Sequence, residues 1–408
     1  MTTKSQTPPA KIGLLGCGHR QLAVVRTLLR EAAGRIAVRA IFDPETEAVR
    51  AARQAFGHDI LVCSDEATLL RNEEIDWVFI ASWNHLHARQ SIAALRAGKS
   101  VFCEKPLATN LPDCLAIRDE IDQSGQSFAL GLVLRYSPFY HKIKEIISAG
   151  EIGEIISFEF NETLDFNHGG RRIFSTWRRN RELAGSHLLE KCCHDLDIAL
   201  WLIGSEPEYV SSFGGRRFFI PANASRVQEI GPGLNGSLPY CVAEGTPGGV
   251  MPFSPGASIV DHQVAIVEFA NGVRATFHTN CNTALRERRF YLCGSKGTLR
   301  ADAYTGVIEW QSIGTDVPCQ RLNTFESGGH GHAGGDVVMA RNLVAAILEG
   351  GPLLAGVEDG IRSALLAHAI DHAMETRSVV KVRPFREGLE SLRPSIEENP
   401  LQILSVAS

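Results

Sequence analysis

Glu104, Lys105 and Pro106 form the first group of residues with the types and spacing that chemistry would need. They directly follow the short apolar run 101–103, which predicts the end of a buried strand. Open α/β sheets bind their ligands at such strand ends, and Pro106 restricts the backbone there. A carboxylate and an amine in this position could bind a polar ligand and move a proton. Taken alone, the three residues also fit a surface lysine before a turn.

The second group lies on a predicted helix over residues 185–203. Glu190, His194, Asp197 and Trp201 recur at helical spacing and form a polar stripe. A separate apolar stripe on the same helix consists of Leu189, Cys192, Cys193, Leu196, Leu200 and Ile203. A helix needs only one buried face, so a second stripe with a carboxylate and an imidazole is a candidate site. A structural role for the glutamate and histidine is the alternative. Lys191, on the neighbouring face, is a candidate donor to substrate hydroxyl groups.

The elements that must position these groups begin with a glycine turn. A strand ends at Gly16, and Gly18 opens a helix, as in loops that bind a pyrophosphate at a helix N-terminus. His19 and Arg20 complete this predicted cofactor loop. The third small residue of the fingerprint is replaced by Gln21, which predicts looser packing of the helix on its strand.

Asp43 follows the second predicted strand, 36–42, in the place of the acid that binds the adenosine ribose. No arginine stands beside it to bind a 2′-phosphate, so NAD is favoured over NADP. A cap on the following helix is the alternative role for this aspartate.

The apolar run 77–81 predicts a further strand that is buried on both faces. Ser82, Asn84 and His87 follow it as further candidate cofactor contacts, with Asn84 as a predicted N-cap. The repeated alternation of strand and helix predicts an α/β fold with a doubly wound parallel sheet, a Rossmann domain.

The pattern changes near Arg135, which predicts an N-terminal domain over 1–135 and a second domain over 136–408. Alternating segments between 155 and 311 predict an α+β domain with an open, mostly antiparallel sheet. A polar loop, 165–181, contains Trp177 and Arg178, which could grip a hydroxylated ligand. The Gly- and Pro-rich stretch 214–258 predicts a long insertion without regular structure, of the kind that forms lids or interface arms.

The residues Gly16-Cys17-Gly18, Asp43, Asn84-x-x-His87 and Glu104-Lys105-Pro106, in this order, resemble the glucose-fructose oxidoreductase/inositol dehydrogenase (Gfo/Idh/MocA) family. The resemblance implies a Rossmann domain that binds NAD(P), followed by an α/β domain with an open sheet that builds the dimer. It also implies that the Glu104-Lys105-Pro106 segment lies beside the nicotinamide, which makes Glu104 and Lys105 expected cofactor contacts. Lys105 would also serve in substrate binding and proton transfer. The family has an Asp-x-x-x-His pair, which Glu190 and His194 match with Glu in place of Asp.

The predicted function is therefore hydride transfer between NAD and a secondary hydroxyl of a sugar, glycoside or cyclitol. His194 is the expected base, oriented by Glu190, and Lys105 the expected donor to the reacting oxygen. Arg135, Trp177, Arg178 and Lys191 are the expected further substrate contacts. One alternative is an NAD-dependent enzyme that cleaves glycosides through transient C3 oxidation. A non-catalytic NAD-sensing regulator is disfavoured because the chain keeps both Lys105 and His194.

Composition excludes several other classes. With a net charge of -5 and no apolar run of ~18 residues, neither nucleic acid nor a membrane is an expected partner. The N-terminal ten residues do not predict a signal peptide, and ten scattered cysteines predict reduced thiols in the cytoplasm. No metal is expected, because His330 and His332 have no evident third ligand. Apolar residues on the second sheet predict a homodimer or homotetramer: Phe158, Phe160, Val264, Ile266 and Phe277.

Overall fold

The computed structural model describes residues 8–240, 249–327 and 332–392. Its first part is a six-stranded parallel sheet in the order β3-β2-β1-β4-β5-β6. The strands are β1 (Ala10–Leu15), β2 (Ile36–Phe42), β3 (Leu61–Val62), β4 (Trp77–Ile80), β5 (Ser100–Cys103) and β6 (Phe128–Leu130). The helices between them are α1 (His19–Ala32), α2 (Thr46–Phe56), α3 (Glu66–Leu70), α4 (His87–Arg96) and α5 (Leu111–Ser124). This is the predicted Rossmann arrangement.

The second part is a nine-stranded sheet in the order β14-β13-β12-β11-β7-β10-β9-β8-β15, antiparallel except between β7 and β10. Its strands are β7 (Ile155–Asp165), β8 (Pro207–Gly215), β9 (His262–Phe269), β10 (Arg274–Thr283), β11 (Arg289–Gly294), β12 (Gly297–Asp302), β13 (Val307–Ser312), β14 (Gln320–Asn323) and β15 (Val380–Lys381). The helices are α6 (Pro138–Ser148), α7 (Arg181–Ala184), α8 (Cys193–Ile203), α9 (Arg226–Ile230), α10 (Gly335–Glu349), α11 (Val357–Thr376) and α12 (Val382–Glu390). The predicted class, α/β with a second mostly antiparallel sheet, is confirmed.

One continuous apolar core joins the two sheets. The buried cluster that contains Leu14 and Phe102 of the first sheet also contains Phe158 and Phe290 of the second. Two late helices make this connection: α10 packs against α1, and α11 packs against both α5 and β8. The carboxyl ends of β4 and β5 are therefore held against the start of α8.

A cluster of buried charges fixes α8 to the second sheet. Arg288 donates two hydrogen bonds to Asp195, at 2.7 and 2.8 Å, and its Nε lies 2.7 Å from Glu162 Oε2. The amine of Lys191 lies 3.1 Å from the other oxygen of Glu162. Burial raises the pKa of the Asp195 carboxyl. The positive charge of Arg288 opposes this effect, and the resulting pKa is about 6. Each charge is matched because an unpaired buried ion is strongly unfavourable.

The segment 165–181, predicted as a loop, is helical. A π-helical turn over His168–Phe174 and a 3-10 turn over Trp177–Arg179 lead into α7. Gly169 lets the first turn lie directly on β10, since a Cβ there would stand 1.8 Å from the carbonyl oxygen of Cys281. Ile173 and Phe174 are buried by this contact.

The described part of the insertion 214–258 packs onto that helical segment instead of standing free. Phe219, Tyr240 and Phe253 form a second apolar core with Phe174. Most of the described part of this stretch lacks regular structure, and its helical parts are a 3-10 turn (Pro221–Asn223) and α9; its role as a lid or interface arm stays a prediction. Its aromatic residues, rather than its glycines and prolines, decide how it packs.

The predicted apolar face of the second sheet is only partly correct. Phe158, Phe160 and Phe277 face the core and are buried, whereas Val264 and Ile266 are 47% and 57% exposed on the opposite face. The prediction thus places residues from both faces of the sheet in one apolar set. Among the described residues, no helix is both long and apolar enough to cross a membrane.

Replacement of Arg288 by leucine should strongly destabilise the protein, because it leaves the buried Asp195 without a cation and Glu162 with Lys191 alone. We expect the free energy of unfolding to fall by about 3–5 kcal/mol. Arg289→Leu is the matched control, since this exposed arginine pairs with exposed Glu159 and should cost at most about 1 kcal/mol. Chemical denaturation measures both; equal losses would contradict the importance of the buried cluster.

Candidate active site

The turn after β5 is fixed from two sides. The Lys105–Pro106 peptide bond is cis, and His87 Nδ1 hydrogen-bonds the carbonyl oxygen of Pro106 at 2.7 Å. His87 Nε2 lies 3.3 Å from the carbonyl oxygen of Ser82, so the buried imidazole links the turns after β4 and β5. The sequence predicts His87 as a cofactor contact, but its side chain instead holds together the turns that follow the two strands.

Lys105, Glu190 and His194 are brought together, as the sequence predicted. The Lys105 amine donates to the carbonyl oxygen of Glu190 and lies 3.6 Å from Glu190 Oε1. Glu190 precedes α8 in a π-helical turn (Leu188–Cys192), and His194 is the second residue of α8. His194 is buried, and its Nδ1 has no hydrogen-bond partner within the described residues.

The charges of this site set its protonation. Burial alone would raise the pKa of Glu190, but the cations Lys105 and Arg178 hold it at about 2. Burial lowers the pKa of His194 well below its usual value, and the positive charge of Lys105 lowers it further. At neutral pH the site therefore contains an anionic glutamate and a neutral imidazole.

Glu190 does not orient His194, contrary to the prediction. Its Oε1 accepts a hydrogen bond from Arg178 Nε at 2.9 Å and faces Lys105. The prediction assumed a regular α-helix through both residues, whereas the π-helical turn shifts Glu190 relative to α8. The glutamate instead positions Lys105.

A chain of ion pairs runs behind the Glu104-Lys105 turn. Arg20 Nε donates to Glu104 Oε1 at 2.7 Å, and Arg20 Nη1 donates to Asp336 Oδ1 at 2.6 Å. The other oxygen of Asp336 lies 2.8 Å from His332 Nδ1, and the His332 ring centroid is 6.5 Å from that of His194. Arg20 and Glu104, both predicted as cofactor contacts, thus connect the glycine turn to α10.

The glycine turn fits a dinucleotide. Gly16 has φ +84°, and a Cβ there would stand 2.8 Å from the backbone nitrogen of Ser82. A Cβ on Gly18 would meet nothing within 4 Å, and no side chain caps the first turn of α1. Gly18 and His19 are exposed, so free backbone N–H groups face open space where a pyrophosphate would bind.

Asp43 closes the other end of this cofactor region at the end of β2. Its Oδ2 accepts from the backbone N–H of Cys17 at 2.6 Å, and its Oδ1 accepts from that of Glu45 at 2.8 Å. These bonds fix the carboxylate beside the glycine turn, and each oxygen retains capacity to accept from a ribose hydroxyl.

Gln21 occupies the position where the fingerprint has a small residue. Its side chain is buried under α1, and its Nε2 donates to the carbonyl oxygen of Phe79 at 2.8 Å. The glutamine thus fills the space between α1 and β4. A small residue at this position would let the helix pack closer to the strand.

Four other predicted residues have different partners. Arg135 donates two hydrogen bonds to Asp197 and one to Asp359, so the structure argues against a substrate contact. Lys191 is likewise committed to Glu162. Asn84 does not cap a helix; it donates to the carbonyl oxygen of Ala184, while Ser82 donates to Gln90.

Trp177 and Arg178 do lie beside the Lys105–Glu190 pair. Arg178 binds Glu190, and its guanidinium is 4.6 Å from the ring centroid of Trp177. The sequence reasoning missed Trp83, which stacks on Trp177, and Asp336, which binds both Arg20 and His332. A tryptophan three residues after the end of a buried parallel strand is a signal that could have found Trp83. The other predicted histidine, His330, lies outside the described residues.

A parallel sheet with a glycine turn after its first strand and an acid after its second defines a dinucleotide-binding oxidoreductase fold. The sequence profile described as "Oxidoreductase family, NAD-binding Rossmann fold" matches residues 10–132, and "Oxidoreductase family, C-terminal alpha/beta domain" matches residues 144–382. The chain belongs to the Gfo/Idh/MocA oxidoreductase family, as the resemblance predicted.

Two characterised relatives and one solved structure illustrate the similarity. Inositol 2-dehydrogenase of Gluconacetobacter diazotrophicus is 31% identical over 49% of this chain and 56% of its own length. Levoglucosan dehydrogenase of Pseudarthrobacter phenanthrenivorans is 27% identical over 83% of this chain and 87% of its own. A levoglucosan dehydrogenase structure with NADH and levoglucosan has a TM-score of 0.75 at 22% identity, covering 92% of this chain and 99% of that one. The chain spans about half the length of several other curated relatives that it matches.

The two glycines of the turn should respond differently to alanine. Gly16→Ala should destabilise the protein by about 1–3 kcal/mol, because its backbone is left-handed and its Cβ site is filled. Gly18→Ala should keep the wild-type Tm, because its φ of -68° suits any residue and its Cβ site is open.

Measurement of NADH affinity shows whether Gly18→Ala, which should keep the wild-type Tm, nevertheless impairs cofactor binding. A methyl group on Gly18 occupies the space of the pyrophosphate, so calorimetry should show NADH binding weakened at least about tenfold, or ~1.4 kcal/mol. Wild-type NADH affinity in Gly18→Ala would show that the dinucleotide does not bind at this turn.

Proposed function

We propose that the protein is an NAD-dependent dehydrogenase acting on a secondary hydroxyl of a sugar, glycoside or cyclitol. The observation that carries the proposal is the buried Nδ1 of His194, which has no hydrogen-bond partner among the described residues and feels the positive charge of Lys105. The cofactor, when bound, accepts or returns the hydride. The related inositol and levoglucosan dehydrogenases support this substrate class. Asp43, which would repel a 2′-phosphate, favours NAD over NADP.

The protein's own task is to move the hydroxyl proton. A neutral imidazole accepts a proton, and the lowered pKa keeps His194 neutral over a wide pH range. Lys105 donates to the reacting oxygen and stabilises the negative charge that develops there. Glu190 remains ionised and holds the amine of Lys105 in place.

Arg178 and Trp177 are proposed to contact the substrate from the same side. The Arg178 guanidinium bonds Glu190 through Nε, which leaves its remaining N–H groups for hydroxyl groups of a ligand.

A screen of sugars, glycosides and inositols with NAD tests the proposal by following NADH absorbance. Accumulation of NADH with at least one of them is expected. Substrate cleavage without accumulation of NADH would favour transient oxidation instead. NAD binding without turnover of any compound would favour a sensing role.

Lys105→Ala and His194→Ala should each lower kcat by roughly 10²–10⁴ while NADH still binds. Since protonation removes the base, the lowered pKa of His194 should also shift the acid limb of the kcat/KM profile below pH 6.5, the usual imidazole value. Steady-state kinetics across pH measures both effects.

His58→Ala, at an exposed histidine after α2, is the matched control and should keep full activity and the wild-type profile. Full turnover with an unchanged profile in His194→Ala would assign the proton transfer to Lys105. Activity retained in both site variants would place the chemistry elsewhere.

We also propose that the open face of the second sheet forms a homodimer or homotetramer interface. Phe213, Val264 and Ile266 line a shallow depression of about 330 Å³ on that face, and Phe213 is 66% exposed. Monomeric proteins rarely leave such a contiguous apolar patch in water. The depression lies on the side of the sheet opposite the core, away from Lys105.

Light scattering should give a multiple of the 44.5 kDa chain mass at micromolar concentration. Ile266→Asp places a charge in the centre of the patch and should shift the population to monomers. Leu61→Asp, at an exposed apolar residue of the first sheet, is the control and should leave the mass unchanged. A wild-type mass of one chain would contradict the interface.

Two coarser proposals complete the assignment. We place the domain boundary near residue 135, which the profile ranges 10–132 and 144–382 support. A cytoplasmic location is supported by the free thiols of the nine described cysteines, most of them buried.

A further inference from the structure

Trp83 and Trp177 stack on each other beside the catalytic lysine. Trp83 lies in a connection of the first sheet, whereas Trp177 lies in a connection of the second sheet. Trp83 follows β4, whereas Trp177 begins the 3-10 turn before α7. Their ring centroids are 5.3 Å apart and their planes differ by 17°. Trp83 nevertheless keeps 46% of its surface exposed. A large aromatic face is therefore presented to solvent at the edge of the site.

The stack is continuous with the catalytic group. The Arg178 guanidinium lies 4.6 Å from the Trp177 ring centroid and donates to Glu190, which contacts Lys105. A ligand whose hydroxyl reaches Lys105 would pass along Arg178 and meet the tryptophans next.

Both tryptophans are held in place by their neighbours. On one side, Asn84 donates to the carbonyl oxygen of Ala184 at 2.7 Å, and His85 Nδ1 lies 3.3 Å from that of Leu183. These contacts tie the segment after β4 to α7. The position of Trp83 relative to Trp177 is thereby fixed.

On the other side, the insertion holds the turn that carries Trp177. Arg179 is buried and donates to the carbonyl oxygens of Ser254 and Pro255, the latter at 2.6 Å. The backbone N–H of Ser258 donates to the carbonyl oxygen of Arg179 at 2.9 Å. A rigid aromatic surface loses little conformational entropy when a ligand covers it.

We propose that Trp83 and Trp177 form a subsite for a second ring of the substrate, attached to the ring on which Lys105 and His194 act. This inference rests on the proposed function and narrows its substrate class to glycosides. The ring faces of a pyranose or an aryl group carry C–H or π surface that packs on indole. A free monosaccharide or a cyclitol would leave the subsite empty.

The kinetic test uses the full-length enzyme with NAD and paired methyl glycosides, phenyl glycosides and disaccharides of the common hexoses. In the wild type, kcat/KM should rise about three- to tenfold from the methyl glycoside to a compound with a second ring. Trp83→Ala should abolish this ratio while its activity on the methyl glycoside stays within about twofold. Trp83→Phe should keep most of the ratio.

Ile313→Ala, at an exposed apolar residue far from the site, is the matched control and should change neither value. Equal loss of activity on all substrates in Trp83→Ala, with a lowered Tm, would mean that the stack only joins the domains and would overturn the subsite. The same conclusion follows if NADH affinity falls in that variant, because Trp83 would then belong to the cofactor site.

Calorimetry with the NADH complex separates failure of the subsite from failure of the proposed function. Saturable binding of phenyl glycosides that Trp83→Ala loses would support the subsite even if no glycoside is oxidised. Equal binding of methyl and phenyl glycosides, or no binding of either, would overturn it whatever the screen of substrates shows.

Discussion

The need to match every buried charge decides how this site is built. Lys105 leaves β5 at a point covered by the second domain, and it is stabilised there by Glu190. Glu190 in turn pairs with Arg178, so Lys105 and the turn that carries Trp177 and Arg178 depend on the same carboxylate. Behind them Arg20 bridges the carboxylates of Glu104 and Asp336. The two domains are thus held together by charge pairs that converge on one strand end.

Much of the fold could be predicted because its signals are local. Gly16, Gly18 and Asp43 are recognisable from spacing alone, and the runs before them are apolar because both faces of the sheet are covered. Lys105 and His194 were also identified from their positions on a strand end and a helix. These predictions need no knowledge of which distant segment packs nearby.

The misassigned residues share a different property, since their roles depend on partners far along the chain. Arg135 binds Asp359, 224 residues away, and no local pattern shows that this pair forms. A charged residue near a site can serve a ligand or a buried partner, and the sequence looks the same in both cases. The predicted apolar face of the second sheet combines residues from both faces for a related reason. The alternation of apolar and polar residues gives the period of a strand, but it does not show which face is covered.

The insertion anchors Arg179 and thereby supports, from behind, the turn that carries Trp177. Lys105 and His194, which we propose move the proton, lie after β5 and on α8, whereas the turn that carries Trp177 depends on the Gly- and Pro-rich stretch packed behind it. Substitutions or length changes in that stretch would alter which ligands fit without touching the proton chemistry. Different segments of the chain therefore support the proposed subsite and the residues proposed to transfer the proton.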